Sequence, residues 1–338
     1  MQVETAFAAA LAVFQPAPRF AVAVSGGPDS VALMRLAAQF RPLVLTVDHG
    51  LRAGSGREVA QVGDWAAALG LTHRILIWAG EKPSRGIQAA ARAARYRLLA
   101  EACLAEGLSG FMTGHTLDDQ IETVAMRRSH GTGATGAAGI PAQAELPDAP
   151  VRLMRPLIGL RKAALVAWLA GQRQDFISDP SNTDPRFERA RLRVAGADAD
   201  VGDVTVLQRA RAAAERAAVA ALEGAEVSAA RVLADRSRLR ELDAEGMDAA
   251  LGALLRLSGG RDHPGTRAER DRLAAAIRAD TPFSGRTLAG AMVRPARRAE
   301  GAAGMLAFLP ERGGAIGRTR FWLPFGQYPQ IAADGSVV

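Results

Sequence analysis

The chain has 338 residues, 49% of them hydrophobic and 23% charged, which is ample for real cores and for two or three domains. Lysine and arginine total 42 against 35 aspartates and glutamates, a formal charge of +7 that favours an acidic partner such as nucleic acid. The single cysteine, Cys103, excludes an internal disulfide and any Cys-pair metal site. No apolar stretch reaches the length of a membrane span and no cleavable leader is visible, so a cytoplasmic protein without a membrane partner is expected.

In chain order, Phe7 to Phe14 is apolar-periodic and ends before Pro16 and Pro18. Phe20 to Val24 reads as a buried strand and Val31 to Phe40 as a helix. Between them lie Ser25, Gly26, Gly27, Pro28, Asp29 and Ser30. Glycines allow close backbone approach, and a helix start offers unpaired N–H groups to a phosphate, although an ordinary strand–turn–helix connection uses the same residue types. Leu43 to Val47 is a second strand pattern, followed by Asp48-His49-Gly50-Leu51-Arg52. Ser55 with Glu58 forms a capping-box pattern for a helix to about Leu69.

Thr72 to Trp78 is a third strand candidate, Gln88 to Glu106 an Ala/Arg/Leu-rich helix, and Phe111 to Gly114 a fourth strand. His115 to Thr123 then opens another helix. Strands alternating with helices imply an α/β, doubly wound parallel sheet, with ligands beyond the carboxyl ends of its strands. Three polar clusters fall at that edge: residues 25–30, 48–52 and 114–123.

Residues 129–150 are rich in Gly, Ala and Pro and are expected to form a mobile loop or lid. Leu153 to Pro156 and a helix over 161–172 come next, then a polar loop from Asp179 to Arg193. From Thr205 to about Arg278 the pattern is helical, and residues 281–329 carry short strand-like pieces at Leu288–Val293 and Met305–Leu309. Three domains are expected: an α/β domain over 1–200, a helical nucleic-acid-binding domain over 201–280, and a small basic mixed or β part over 281–338. Residues 152–193 hold nine basic against four acidic residues, and 281–320 hold seven against two, so both are candidate nucleic-acid surfaces. The Ala/Leu-rich helical segment can pack within one chain or between two, as in a homodimer.

The loop at 25–30 lacks the lysine of a G-x-x-x-x-G-K-[ST] motif. It resembles the SGGxDS loop of the N-type ATP pyrophosphatases. With DHGLRAGS at 48–55, RxxRY at 92–96, TGHTLDDQIET at 113–123, RPL at 155–157 and DPSNTDPRFERARLR at 179–193, the chain resembles the tRNA(Ile)-lysidine synthases. The resemblance implies adenine nucleotide alpha hydrolase-like architecture, ATP and Mg2+ as cofactors, and isoleucine tRNA and free lysine as partners. It implies adenylation of the wobble cytidine at its C2 oxygen, then displacement of AMP by the lysine ε-amine.

The same resemblance assigns candidate roles. Ser25, Gly26, Gly27, Pro28, Asp29, Ser30, Asp48 and His49 would bind the nucleotide. Asp29, His115, Asp118 and Asp119 would be catalytic, with the three aspartates also holding the metal. For Asp118 and Asp119, helix capping is the bland alternative. Arg52, Arg95, Glu122, Asp179, Asn182, Arg186, Arg189 and Arg193 would contact substrate, with Arg92 and Tyr96 on the same side. Two departures stand out: Thr116 replaces a second histidine and Ala190 an asparagine. A 2-thiocytidine synthase shares the loop but needs cysteines that this chain lacks. A glutamine-dependent amidating enzyme needs an ammonia source, and a non-catalytic RNA-binding module has no use for metal-binding carboxylates.

Overall fold

The computed structural model describes residues 2–51, 54–83, 85–129, 139–146, 149–178, 201–228, 230–260, 264–279, 282–300 and 303–311. These fall into two compact units, one up to residue 204 and one from Thr205.

The first unit contains α1 (Gln2–Phe14), β1 (Ala21–Ala23), α2 (Pro28–Ala37), β2 (Leu43–Asp48), α3 (Ser55–Ala68) and β3 (His73–Ile77). It continues with α4 (Ile87–Ala105), β4 (Gly110–Thr113), α5 (Leu117–Ser129), β5 (Gln143–Leu146), β6 (Ala149–Met154) and α6 (Lys162–Gly171). The sheet order is β3-β2-β1-β4-β6-β5. All neighbours are parallel except the β5–β6 hairpin, which is antiparallel and carries a register shift at Glu145/Leu146.

Side chains alternate across a strand, and here both faces are covered. Val22, Val44, Met112 and Met154 point into a core shared with Phe7 of α1, Leu33 of α2, Val62 of α3 and Leu165 of α6. Their chain neighbours Ala21, Leu45, Phe111 and Leu153 point the other way, onto Leu99 and Cys103 of α4. This two-sided burial explains why the strands read as apolar runs, as expected of a parallel sheet wrapped by helices. The doubly wound α/β architecture expected from the sequence is therefore present.

The second unit contains α7 (Val201–Leu222), β7 (Glu226–Val227), β8 (Val232–Asp235), α8 (Arg236–Glu241), α9 (Ala244–Gly259) and α10 (Arg267–Arg278). β9 (Arg286–Leu288), β10 (Ala291–Pro295) and β11 (Met305–Pro310) follow. Its sheet, β7-β8-β11-β10-β9, is antiparallel throughout. Leu251, Leu254 and Ile277 of the helices share one core with Val232, Val293 and Phe308 of the sheet. The expected boundary at residue 280 thus falls inside a single packed unit.

Three local expectations are corrected. Within 129–150, residues 143–146 form the edge strand β5, because the apolar strand β6 offers a pairing partner that outweighs the weak β preference of Gln, Ala and Glu. Residues 226–227 and 232–235 are strands inside a stretch expected to be helical; a short Val-Leu-Ala run fits either period. Ser55 is the first residue of α3 and Gly54 is its cap, without a side-chain cap bond.

Candidate active site

The strand order reverses between β1 and β4, where β2 and β3 lie to one side of β1 and β4 to the other. Such a switch point opens a crevice beyond the strand ends. The loop 25–30 leaves β1 there and the loop 114–116 leaves β4 there. The loops touch. A Cβ on Gly114 would stand 2.7 Å from Asp29 O and 2.9 Å from Ser30 N, so only glycine lets the β4 loop lie against the start of α2.

The 25–30 loop is folded around Ser30. Its Oγ accepts from Ser25 N–H (3.1 Å), lies 3.3 Å from Ser25 Oγ and donates to Gly27 O (2.9 Å). Gly26 has φ +89°, and a Cβ there would run into Ile177, whose N–H bonds Gly26 O at 2.8 Å. Gly27 caps α2 and Pro28 occupies its first turn, where a missing N–H costs nothing. The Ser30 hydroxyl therefore braces the loop.

Three helix starts meet around this loop. Leu117 N–H donates to Leu160 O (2.9 Å), which ties the start of α5 to the segment before α6. Asp118 Oδ2 accepts from Lys162 N–H (2.6 Å) and Oδ1 pairs with Arg161 (3.1 Å). Asp119 Oδ2 accepts from Thr116 N–H (2.8 Å) and Thr116 Oγ1 (3.1 Å). Thr116 is buried, and its bonds to Asp119 close the N-terminal turn of α5. Lys162 Nζ lies 3.4 Å from Asp29 Oδ2.

Burial raises the Asp29 carboxyl above its ordinary range; Lys162 opposes this, while Asp119 and Asp118 add to it. Asp29 Oδ1 is buried without a hydrogen-bond partner among the described residues. No group of three or more His, Cys, Asp and Glu side chains is placed to hold a metal among the described residues. Asp29, Asp118 and Asp119 therefore do not form such a group among the described residues. Asp118 and Asp119 spend oxygens on capping bonds, and Asp29 alone presents an open buried oxygen.

His115 Nδ1 lies 2.8 Å from Thr113 Oγ1. Asp48, at the end of β2, accepts from Gly50 N–H (2.8 Å). His49 packs edge-on against Trp78 with centroids 5.8 Å apart. Burial, with the Arg95 and Lys82 charges, lowers the His49 pKa against the opposing pull of Asp48. The Arg92 and Arg95 guanidiniums lie 5.0 and 5.6 Å from the Tyr96 ring. Glu122, expected to meet substrate, is buried. Arg52, Asp179, Asn182, Arg186, Arg189, Ala190 and Arg193 lie outside the described residues.

Sequence reasoning missed Lys162, Arg161, Trp78 and Lys82. The signal for two of them was composition: Lys82 and Lys162 are the chain's only lysines. Lys82 Nζ sits 4.4 Å from the Trp78 ring and donates to the Trp78 and Gly80 carbonyls.

A family model for the PP-loop domain matches residues 1–196. A curated tRNA(Ile)-lysidine synthase of Methylobacterium sp. (strain 4-46) is 44% identical over 296 residues, covering 80% of this chain and 85% of the relative. That of Rhodopseudomonas palustris is 53% identical over 188 residues, a match spanning 53% of this chain and 54% of the relative. Among solved structures, a U34-tRNA thiolase from Methanococcus maripaludis superposes with a TM-score of 0.50 at 14% identity, over 62% of this chain and 77% of that one; this likeness shows the fold alone. The PP-loop fold, its glycine-braced loop at the switch point and the match along most of both chains agree: this chain belongs to the tRNA(Ile)-lysidine synthase family.

Proposed function

We propose that this chain ligates lysine to C2 of the wobble cytidine of an isoleucine tRNA, using ATP, in the cytoplasm. The observation that carries the reading is the meeting of the 25–30 loop, Asp29, His115 and the Asp118/Asp119 turn at one sheet switch point. In the first step the cytidine C2 oxygen attacks the α-phosphorus and pyrophosphate leaves. In the second the lysine ε-amine attacks C2, AMP leaves, and the amine proton is lost.

The chain's own residues divide this work. The backbone of Gly26 and Gly27 and the start of α2 bind the phosphates, where N–H groups and the helix dipole favour negative charge. Asp29 is the carboxylate that fits Mg2+, an ion that takes one or two carboxylates together with substrate phosphates; bound there, it would neutralise phosphate charge. Asp118 and Asp119 hold the starts of α5 and α6 in register with the loop. His115, oriented by Thr113, takes the proton from the attacking amine, a task suited to imidazole near neutral pH. Arg95 offers a cation to the tRNA backbone.

Thiolation is disfavoured by the one cysteine. Cys103 is fully buried and its pKa is pushed up to about 12 by desolvation, so it is no thiolate donor.

The reading is tested with ATP labelled at its α-phosphate and isoleucine tRNA, without lysine. Label should accumulate on the tRNA and leave as AMP when lysine is added. A tRNA with another wobble base should acquire none, and equal labelling of both would contradict the proposal.

A further inference from the structure

We propose that Lys162 is a phosphate-binding residue of the nucleotide site, the cation that the 25–30 loop itself does not carry. The inference rests on the reading of that loop as an ATP site and adds a residue from outside it. Lys162 belongs to α6, remote in sequence from the loop, yet its ammonium stands 3.4 Å from Asp29 Oδ2. Its placement is fixed by backbone: Leu160 O bonds the start of α5, and Asp118 holds Lys162 N–H at 2.6 Å.

Charge makes the case. Asp118 Oδ2 holds the backbone N–H of Lys162 while Asp29 Oδ2 lies beside its ammonium, so a triphosphate arriving here meets acidic side chains. Among the described residues, Lys162 and Arg161 are the cations paired with them. Both occupy the positive end of α6, where the dipole disfavours a cation; a lysine there weakens the helix start and calls for a use elsewhere. Its pairing with Asp29 is an ion pair longer than a good hydrogen bond, and its side chain is 38% exposed, so the ammonium can turn to a phosphate oxygen. A compact ammonium with three rotatable donors suits that task. In a chain whose only other lysine is Lys82, the choice of lysine over arginine at this position fits a point-charge contact to phosphate.

The test is calorimetric titration of the full chain with ATP and with AMP in the presence of Mg2+, for the wild type, Lys162→Met and Lys162→Arg. Lys162→Met should weaken ATP binding by about tenfold or more, the scale of one charge-assisted hydrogen bond, while AMP binding changes less than about twofold. Lys162→Arg should recover part of the loss. ATP binding by Lys162→Met within about twofold of wild type would overturn the inference and leave the ATP reading standing. Equal loss of ATP and AMP binding would also overturn it, by showing a structural role. Failure of the wild type to bind ATP would overturn both.

Discussion

Asp118 Oδ2 accepts a 2.6 Å hydrogen bond from the backbone N–H of Lys162, so the first turn of α5 fixes the first turn of α6. Asp118 of the GHTLDDQ motif is thus a joint between helix starts, while Asp119 closes the turn of its own helix through Thr116. Asp118→Ala should lower the unfolding free energy of the first unit by about 1–3 kcal/mol. Its pair with the exposed Arg161 adds little. Asp118→Asn keeps an acceptor and should lose less; urea unfolding of both variants checks the order.

Gly114→Ala places a methyl against Asp29 O, Asp29 C and Ser30 N, at 2.7, 2.8 and 2.9 Å. These are backbone atoms, so the loops must part. A loss of about 1–3 kcal/mol in stability and a larger loss in ATP affinity are expected. Melting and titration of the variant read the two effects separately.

His49 and His73 both have pKa values lowered by burial, and His73 bonds Thr46 Oγ1 at 2.9 Å. The unfolded chain therefore takes up protons before the folded one as pH falls below about 6.5. Stability is fully present above that pH and declines below it, until the folded-state values are passed. Asp29, shifted upward, works in the opposite sense at lower pH. Unfolding free energies measured from about pH 8 down to about pH 5 should fall, and His73→Gln should flatten part of the slope.

In the second unit, Asp248 is 4% exposed and is held by Arg270 at 2.6 and 3.1 Å and by Arg267 at 3.3 Å. Arg270→Met leaves the buried carboxylate with only the longer Arg267 contact and should cost up to about 3 kcal/mol, less than a fully unpaired buried charge. Replacing Asp248 by Leu in the same variant should recover much of the loss, which denaturant unfolding of the single and double variants will show.

Cys103 lies in the core between α4 and the sheet, its thiol pushed up to about 12. It should not react with Ellman's reagent in the folded protein and should react fully once unfolded. Ready reaction of the native chain would contradict the packing described here.

The centre of the sheet was legible because β1, β2 and β4 are buried on both faces, so Val22, Leu45 and Phe111 sit in short apolar runs bounded by turn residues. The site was legible where glycine or charge marks a strand end, as at Gly26, Gly114 and Asp118. It was not legible where the decisive partner comes from far along the chain. Nothing local marks Lys162 as a neighbour of Asp29. The strands β5 and β8 were hidden for a related reason: Gln143 to Leu146 and Val232 to Asp235 owe their conformation to their partners, β6 and β11.

The most direct test is incubation of the chain with ATP, labelled lysine and isoleucine tRNA whose anticodon begins with cytidine. The account predicts ATP-dependent label in the tRNA at the wobble position, lost in Asp29→Ala. Absence of label from a folded, ATP-binding wild type, or label without ATP, would contradict it.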